Sequence, residues 1–165
     1  TLEQLMVTPI RKGELILGKV LPLAIVGFLL FNVGLLGAGF IFNLWLKGSL
    51  LTLYFMVILF MLTTLGIGIF VSTIVQTQQQ AMFFTWFFMI FSILLSGFFI
   101  PIENMPQAIQ LISYLNPVRY FMVVIREIYL KGTEFRFLWK EALAMFVFGS
   151  ATVIGAVLRF RKRIG

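Results

Sequence analysis

From Gly48 to Ile102 the chain carries no Asp, Glu, Lys or Arg, a charge-free interval of about 55 residues. One Arg or Lys at the centre of a membrane-crossing helix costs roughly 2.5 to 3.5 kcal/mol on insertion scales. The interval avoids that cost over a length sufficient for two crossings of about 20 residues each. The rest of the chain agrees: 61% of its 165 residues are apolar and 12% are charged. That is far from the balance of a soluble domain and predicts an integral membrane chain whose core is shared with lipid.

Missing residue types narrow the chemistry. There is no Cys, His or Asp. Disulfides, thiol chemistry, imidazole acid/base catalysis, a Ser-His-Asp triad and the usual zinc ligand sets are therefore excluded. The net charge of +7 raises nucleic acid as a partner, but the basic residues flank apolar runs and do not group on a water-facing element. They read as orientation signals and headgroup contacts.

Four spans are predicted, at about 20–46, 50–75, 81–100 and 141–158. Pro22 opens the first, and Lys47, Gly48 and Ser49 turn the chain into the second. The polar run QTQQQ, Gln76 to Gln80, reads as a loop, because consecutive amides are costly in hydrocarbon. An even count puts both ends on one side. Arg11, Lys12 and Lys19 at the front and the basic tail 159–165 at the back mark that side as the cytoplasm.

Between the third and fourth spans lies PIENMPQAIQLISYLNPVRYFMVVIREIYLKG, residues 101–132. It is too apolar for a loop. Asn104 or Met105 before Pro106 starts one short helix, Asn116 before Pro117 starts a second with a cap and proline at its first turn, and Gly132 ends it. Two helices shorter than a crossing fit a re-entrant pair that dips into the outer leaflet and returns. Arg119 and Arg126, seven residues apart, share a face, with Glu127 beside them. These three charges either gate an outward opening or meet an anionic headgroup, or else the arginines snorkel and Glu127 pairs locally.

On the third span Thr85, Met89, Ser92 and Ser96 form one stripe, and Phe84, Phe87, Phe88 and Phe91 form another about 100° round. The first suits a path lining, as does Asn32 in the first span, but helix packing explains both stripes without a ligand. Gly34 with Ala38, and Ala151 with Gly155, have the small-xxx-small spacing of close helix contacts. In the opening stretch TLEQLMVTPIRKGELILGK, Thr1 and Gln4 have capping-box spacing and Thr8-Pro9 restarts a helix after a bend. Two short helices over residues 1–19, joined by an elbow, suit the membrane surface or a groove in another protein.

That opening stretch resembles the cytoplasmic coupling segment of ABC-2 type transporter permeases. LLSGFFIPIENMPQAIQLISYLNPVRYFMVVIREIYLKG resembles their C-terminal signature and outer helical hairpin. The fold expected is an all-α integral membrane protein with four transmembrane helices, a cytoplasmic coupling helix and an outer re-entrant hairpin. The resemblance implies that a complete subunit has six spans, so this chain is expected to be a C-terminal portion. It also implies that Thr1, Glu3, Gln4, Leu5, Thr8 and Pro9 lie at the ATPase coupling contact, with Glu3 as the polar contact. Pro101, Glu103, Asn116, Pro117, Arg119, Tyr120, Arg126 and Glu127 belong to the outer hairpin or gate.

The function expected from the resemblance is that of a permease subunit of an ATP-driven exporter of drug-like amphiphiles in the bacterial inner membrane. It would pair with a second permease, as a homo- or heterodimer, and with ATPase subunits. No Walker-type phosphate loop is present, so this chain is expected to bind no cofactor, and ATP and Mg belong to the partner ATPase. The first three spans hold no carboxylate, which argues against proton- or sodium-coupled transport. The alternatives are export of lipids or polysaccharide precursors, a non-transporting scaffold, and a membrane enzyme using Glu103, Glu127 or Glu134.

Overall fold

The computed structural model describes residues 12–162. Thr1, Glu3, Gln4, Leu5, Thr8 and Pro9 lie outside the described residues, as does the end of the basic tail. The chain divides into two units, 1–44 and 45–165.

In the first unit, helix α1 (Lys12–Phe42) runs 31 residues without a break and carries Pro22 inside it. Residues 12–19, expected as part of a separate elbow helix, are instead the first turns of the spanning helix. Pro22 sits in its interior, where its missing N–H leaves one carbonyl of the preceding turn without its usual donor, a cost that membrane-spanning helices tolerate. The helix ends four residues earlier than the expected Leu46. Asn43 takes a left-handed φ of 54°, which asparagine tolerates, and the Leu44 N–H bonds the Ala38 carbonyl at 3.0 Å.

The second unit is built on two helices, α2 (Leu50–Ile74) and α6 (Trp139–Lys162). At roughly 1.5 Å per residue each exceeds the apolar thickness of a bilayer of about 30 Å. Ser49 caps α2 by accepting the Thr52 N–H. Contacts pair Thr63 with Met145, Gly66 with Gly149 and Thr152, and Phe70 with Gly155. Residue numbers rise together, so α2 and α6 run parallel. The polar turn after α2 and the basic tail after α6 therefore leave at one end, and the Lys47–Gly48 turn lies at the other. The buried core is Leu53, Met56, Val57, Val124, Ile128, Leu138 and Met145, drawn from α2, α6 and the segment before α6.

Helix α3 (Gln78–Leu94) begins inside the glutamine run. The expected loop over 76–80 is shorter than predicted because Thr77 caps the helix by accepting the Gln80 N–H, which brings Gln78 to Gln80 into its first turn. At 17 residues α3 is at the short end of crossing length. The third span, expected to reach Ile100, stops at Leu94. Gly97 adopts φ 80° and the Ser96 hydroxyl accepts the Phe98 N–H while donating to the Ile93 carbonyl. Apolar side chains continue past this point, but the backbone has already left the helix.

Next come a 3₁₀ turn at Ile102–Asn104, α4 (Gln107–Ser113) and α5 (Pro117–Ile125). A π-helical stretch, Arg126–Lys131, continues α5. The pair α4 and α5 bends by 89° at its break. A second 3₁₀ turn, Phe135–Phe137, leads into α6, which starts at Trp139, two residues earlier than expected. Among the described residues, α1 from Val20, α2 and α6 are long and apolar enough to cross a membrane, with the bent pair as a fourth if counted as one span. The chain is an all-α membrane protein.

Candidate functional site

The hairpin forms where its sequence motif places it. Asn116 caps α5, its Oδ1 accepting the Val118 N–H at 3.1 Å, and Pro117 occupies the first helical position, where no N–H is needed. The other end of the Asn116 side chain reaches outward: Nδ2 donates to the Ser92 carbonyl of α3 at 2.7 Å. One buried amide thus starts α5 and ties it to α3. Gly132, at φ 75°, ends the π-helical stretch. It packs on the Lys47–Gly48 turn, where the Lys47 N–H bonds the Tyr129 carbonyl. The hairpin is held at both ends.

Inside it the polar groups satisfy one another. Gln110 Nε2 donates to the Met105 carbonyl at 2.8 Å and the Glu103 carbonyl at 3.4 Å, joining α4 to the turn after Pro101. Arg119 donates to the Ser113 hydroxyl and to the Gln110 carbonyl, and its guanidinium lies 3.9 Å from the centre of the Tyr114 ring. The Tyr120 hydroxyl donates to the Tyr114 carbonyl at 2.9 Å. Arg119 and Tyr120 therefore lock the 89° bend from inside.

Arg126 goes elsewhere: its guanidinium donates to the Gly97 carbonyl at 2.8 Å, where α3 has broken. The two arginines share a face by spacing but serve different ends of the hairpin. Glu127 pairs with Lys131 and accepts the Thr133 hydroxyl at 2.8 Å. The side-chain hydrogen bonds from Lys131 and then Thr133 hold its carboxyl below the ordinary glutamate range. This turn closes the end of the bent pair and packs beside the Lys47–Gly48 turn. A lowered carboxyl favours the folded turn above the ordinary glutamate range, and that contribution is lost as pH falls through the lowered value. Amide exchange at Gly132 and Thr133 is expected to quicken on acidification below the glutamate range, and to lose that dependence in Glu127→Gln.

The residues proposed to line a path do not stay together. Ser92 and Ser96 are buried under the hairpin, while Thr85 is exposed and bonds the Ala81 carbonyl of its own helix, and Met89 is exposed. Asn32 lies in the first unit and donates to Phe28 of its own helix. Pro101 and Glu103 are exposed at the start of the hairpin. The phenylalanines of α3 are largely open, with Phe83 70% and Phe87 63% exposed, and a surface of this kind faces lipid or another helix.

Sequence reasoning passed over Glu141 as a site and placed it only at the start of a span. Its Oε2 is shielded from solvent and receives no hydrogen bond. The signal available was a single carboxylate in the first turn of an apolar span, next to Lys140.

The family model described as "ABC-2 type transporter" matches residues 1–130. The chain belongs to the ABC-2 type transporter family. Among its relatives, the Escherichia coli K12 "Probable multidrug ABC transporter permease YbhR" is 32% identical over 99% of this chain and 45% of its own length. The same organism's "Probable multidrug ABC transporter permease YbhS" is 38% identical over 80% of this chain and 35% of its own. "Inner membrane transport permease YhhJ", also from E. coli K12, is 30% identical over all of this chain and 44% of its own. This ABC-2 chain spans less than half the length of these relatives. No solved structure matches it.

Proposed function

We propose that this chain is the C-terminal portion of the permease subunit of an ATP-driven exporter, and that it forms part of the path for drug-like amphiphiles. The supporting observation is similarity to permeases named as multidrug transporters over nearly the whole chain. The permease sits in the bacterial inner membrane with both ends of this segment cytoplasmic. It works as a homo- or heterodimer with ATPase subunits that hold ATP and Mg, and it hydrolyses no ATP itself.

The geometry supports a mechanical role. Parallel packing joins α2 to α6, the Lys47–Gly48 turn joins the start of α2 to the hairpin, and Asn116 joins the hairpin to α3. A push delivered through the Thr8-Pro9 segment to the spans is in this reading carried to the outer end, where the hairpin caps the path.

Affinity purification of the full-length protein in mild detergent tests the reading. A stoichiometric ATP-binding cassette subunit is expected, with at least tenfold less of it retained by Glu3→Arg combined with Leu5→Asp. Recovery of the permease alone overturns the exporter assignment. Undiminished recovery by the double variant removes the coupling role from the opening stretch.

A further inference from the structure

We propose that the free edge of the Arg119 guanidinium, Nε and Nη2, is a binding position near the middle of the membrane for the phosphate or carboxylate of an amphiphile. The inference deepens the exporter reading and rests on it, since it names a charge class of compound that the assembly accepts.

The first observation is depth. Arg119 precedes Tyr120 and Phe121 in the first turn of α5. The Phe121 ring stacks on Phe60 of α2, with centres 4.0 Å apart and planes 3° from parallel. The Tyr120 ring packs on Phe148 of α6 at 6.1 Å, and the next residue of α6, Gly149, abuts Thr63 of α2. Phe60 and Thr63 bracket Leu62, the middle residue of the 25-residue helix α2. At about 1.5 Å per residue, either end of α2 is roughly 18 Å away. Phe148 likewise adjoins the midpoint of the apolar span Trp139–Arg159. Two helices thus place the start of α5 at the same level, halfway along both.

A long basic side chain at such a level ordinarily snorkels to the nearer interface. Arg119 is held instead: it donates to the Gln110 carbonyl at 3.2 Å and to the Ser113 hydroxyl, and the Tyr114 ring lies 3.9 Å from its guanidinium carbon. Carbonyl and hydroxyl dipoles fix the cation without neutralising it. A net charge at mid-span carries the insertion cost of arginine unless an anion meets it.

The second observation is which nitrogens do the holding. Both hydrogen bonds leave from Nη1. Among the described residues Nε and Nη2 have no hydrogen-bond partner, and the ion pairs Glu127–Lys131 and Glu134–Arg136 leave Arg119 out. Nor are these nitrogens sealed inside the protein, since the buried polar side-chain atom without a partner among the described residues is Glu141 Oε2. Arg119 is partly exposed. Bracing the bend therefore occupies one nitrogen and leaves open the edge whose two parallel N–H groups match a carboxylate or phosphate. Arg126 differs, because its Nη2 is taken by the Gly97 carbonyl.

An anion reaches this depth only on an apolar carrier, which makes an amphiphile the fitting class. Leu111, Ile112 and Leu115, which flank Ser113 and Tyr114 in the chain, are exposed and offer apolar surface to its body.

Such a group has two sources, an anionic transported compound and an anionic phospholipid. The test uses the full-length permease with its ATPase subunit in phosphatidylcholine nanodiscs, probed with radiolabelled dodecyl phosphate and with dodecanol as its neutral counterpart. Saturable binding of dodecyl phosphate is expected, about tenfold weaker in Arg119→Gln, while dodecanol is unchanged by the substitution. Arg119→Lys keeps the charge and removes the fork, and is expected to weaken dodecyl phosphate about threefold. It guards against misfolding of the first variant.

Competition by phosphatidylglycerol that requires Arg119 supports the position and assigns the lipid as its occupant. ATP-dependent release of dodecyl phosphate that requires Arg119 supports it and assigns the transported compound. Equal binding of dodecyl phosphate to wild type, Arg119→Gln and Arg119→Lys overturns the inference. A parallel fall in dodecyl phosphate and dodecanol also overturns it, because an arginine that only braces the bend gives that result. Export of a neutral compound by the same assembly then leaves the exporter reading standing, whereas absence of a copurifying ATPase overturns that reading by itself.

Discussion

Gly66→Leu is expected to separate α2 from α6 and to destabilise the second unit by about 3 kcal/mol, the upper part of the usual range for overpacking. A Cβ at Gly66 would lie 2.5 Å from the Thr152 hydroxyl, 3.0 Å from Val153 Cγ2 and 3.4 Å from the Gly149 carbonyl. The Thr152 hydroxyl is bonded to the Phe148 and Gly149 carbonyls, so turning it aside breaks those bonds. On the facing helix Gly149 is also close: a Cβ there would meet Thr63 Oγ1 at 3.1 Å and the Thr63 backbone N at 3.3 Å. Neither helix has space to give. The adjacent Thr63 hydroxyl bonds the Met145 carbonyl at 2.8 Å, which the separated helices also lose. Unfolding by denaturing detergent in mixed micelles measures the effect. Gly68→Leu is the control: nothing lies within 4 Å of a Cβ at that position, and near-neutral behaviour is expected. Equal behaviour of the two variants would show that the helices do not approach at Gly66.

Asn116→Ala is expected to cost about 2 to 3 kcal/mol and to release the hairpin while α2 and α6 stay paired. The estimate combines a lost helix cap, typically about 1 kcal/mol, with a buried carbonyl at Ser92 left without its donor, about 1 to 3 kcal/mol. Hydrogen exchange should show fast amides through α4 and α5 and unchanged protection in the middle of α2. Asn116→Asp separates the two roles, since a carboxylate still caps α5 but cannot donate to Ser92. Its exchange should rise most at the contact with α3. Protection over α4 and α5 equal to wild type in both variants would mean that Asn116 does not hold the hairpin.

Much of this architecture was visible in individual residues. Asn116-Pro117 and Gly132 announced the limits of α5 and its extension because their conformational preferences are local. The charge-free interval announced membrane helices because burial in lipid depends on composition. What depends on a distant partner was not visible. The break of α3 at Leu95 is set by the Gly97 backbone and the Ser96 hydroxyl amid continuous apolar residues. The spacing of Arg119 and Arg126 gave them one face, yet carbonyls from two different segments draw them apart. Glycine spacing pointed to Ala151 and Gly155. Gly155 does meet Phe70, but the tighter approach between these two helices, Gly66 on Thr152, has its halves on separate helices and makes no motif in either.

The direction of the α2–α6 pair has a consequence for how the chain is made. The Thr63 hydroxyl finds its second partner 82 residues later, at Met145. A ribosome must therefore deliver α2, α3 and the whole hairpin into the membrane before the surface of α2 that carries Thr63 and Gly66 meets its mate. During that interval the hydroxyl is satisfied within its own turn by Leu59, which lets α2 wait in lipid without a bare polar group. Completion of α6 is then the event that converts a row of inserted helices into a packed unit. Chains interrupted before that point present an unfilled glycine notch in the bilayer, a surface open to packing with the wrong helix.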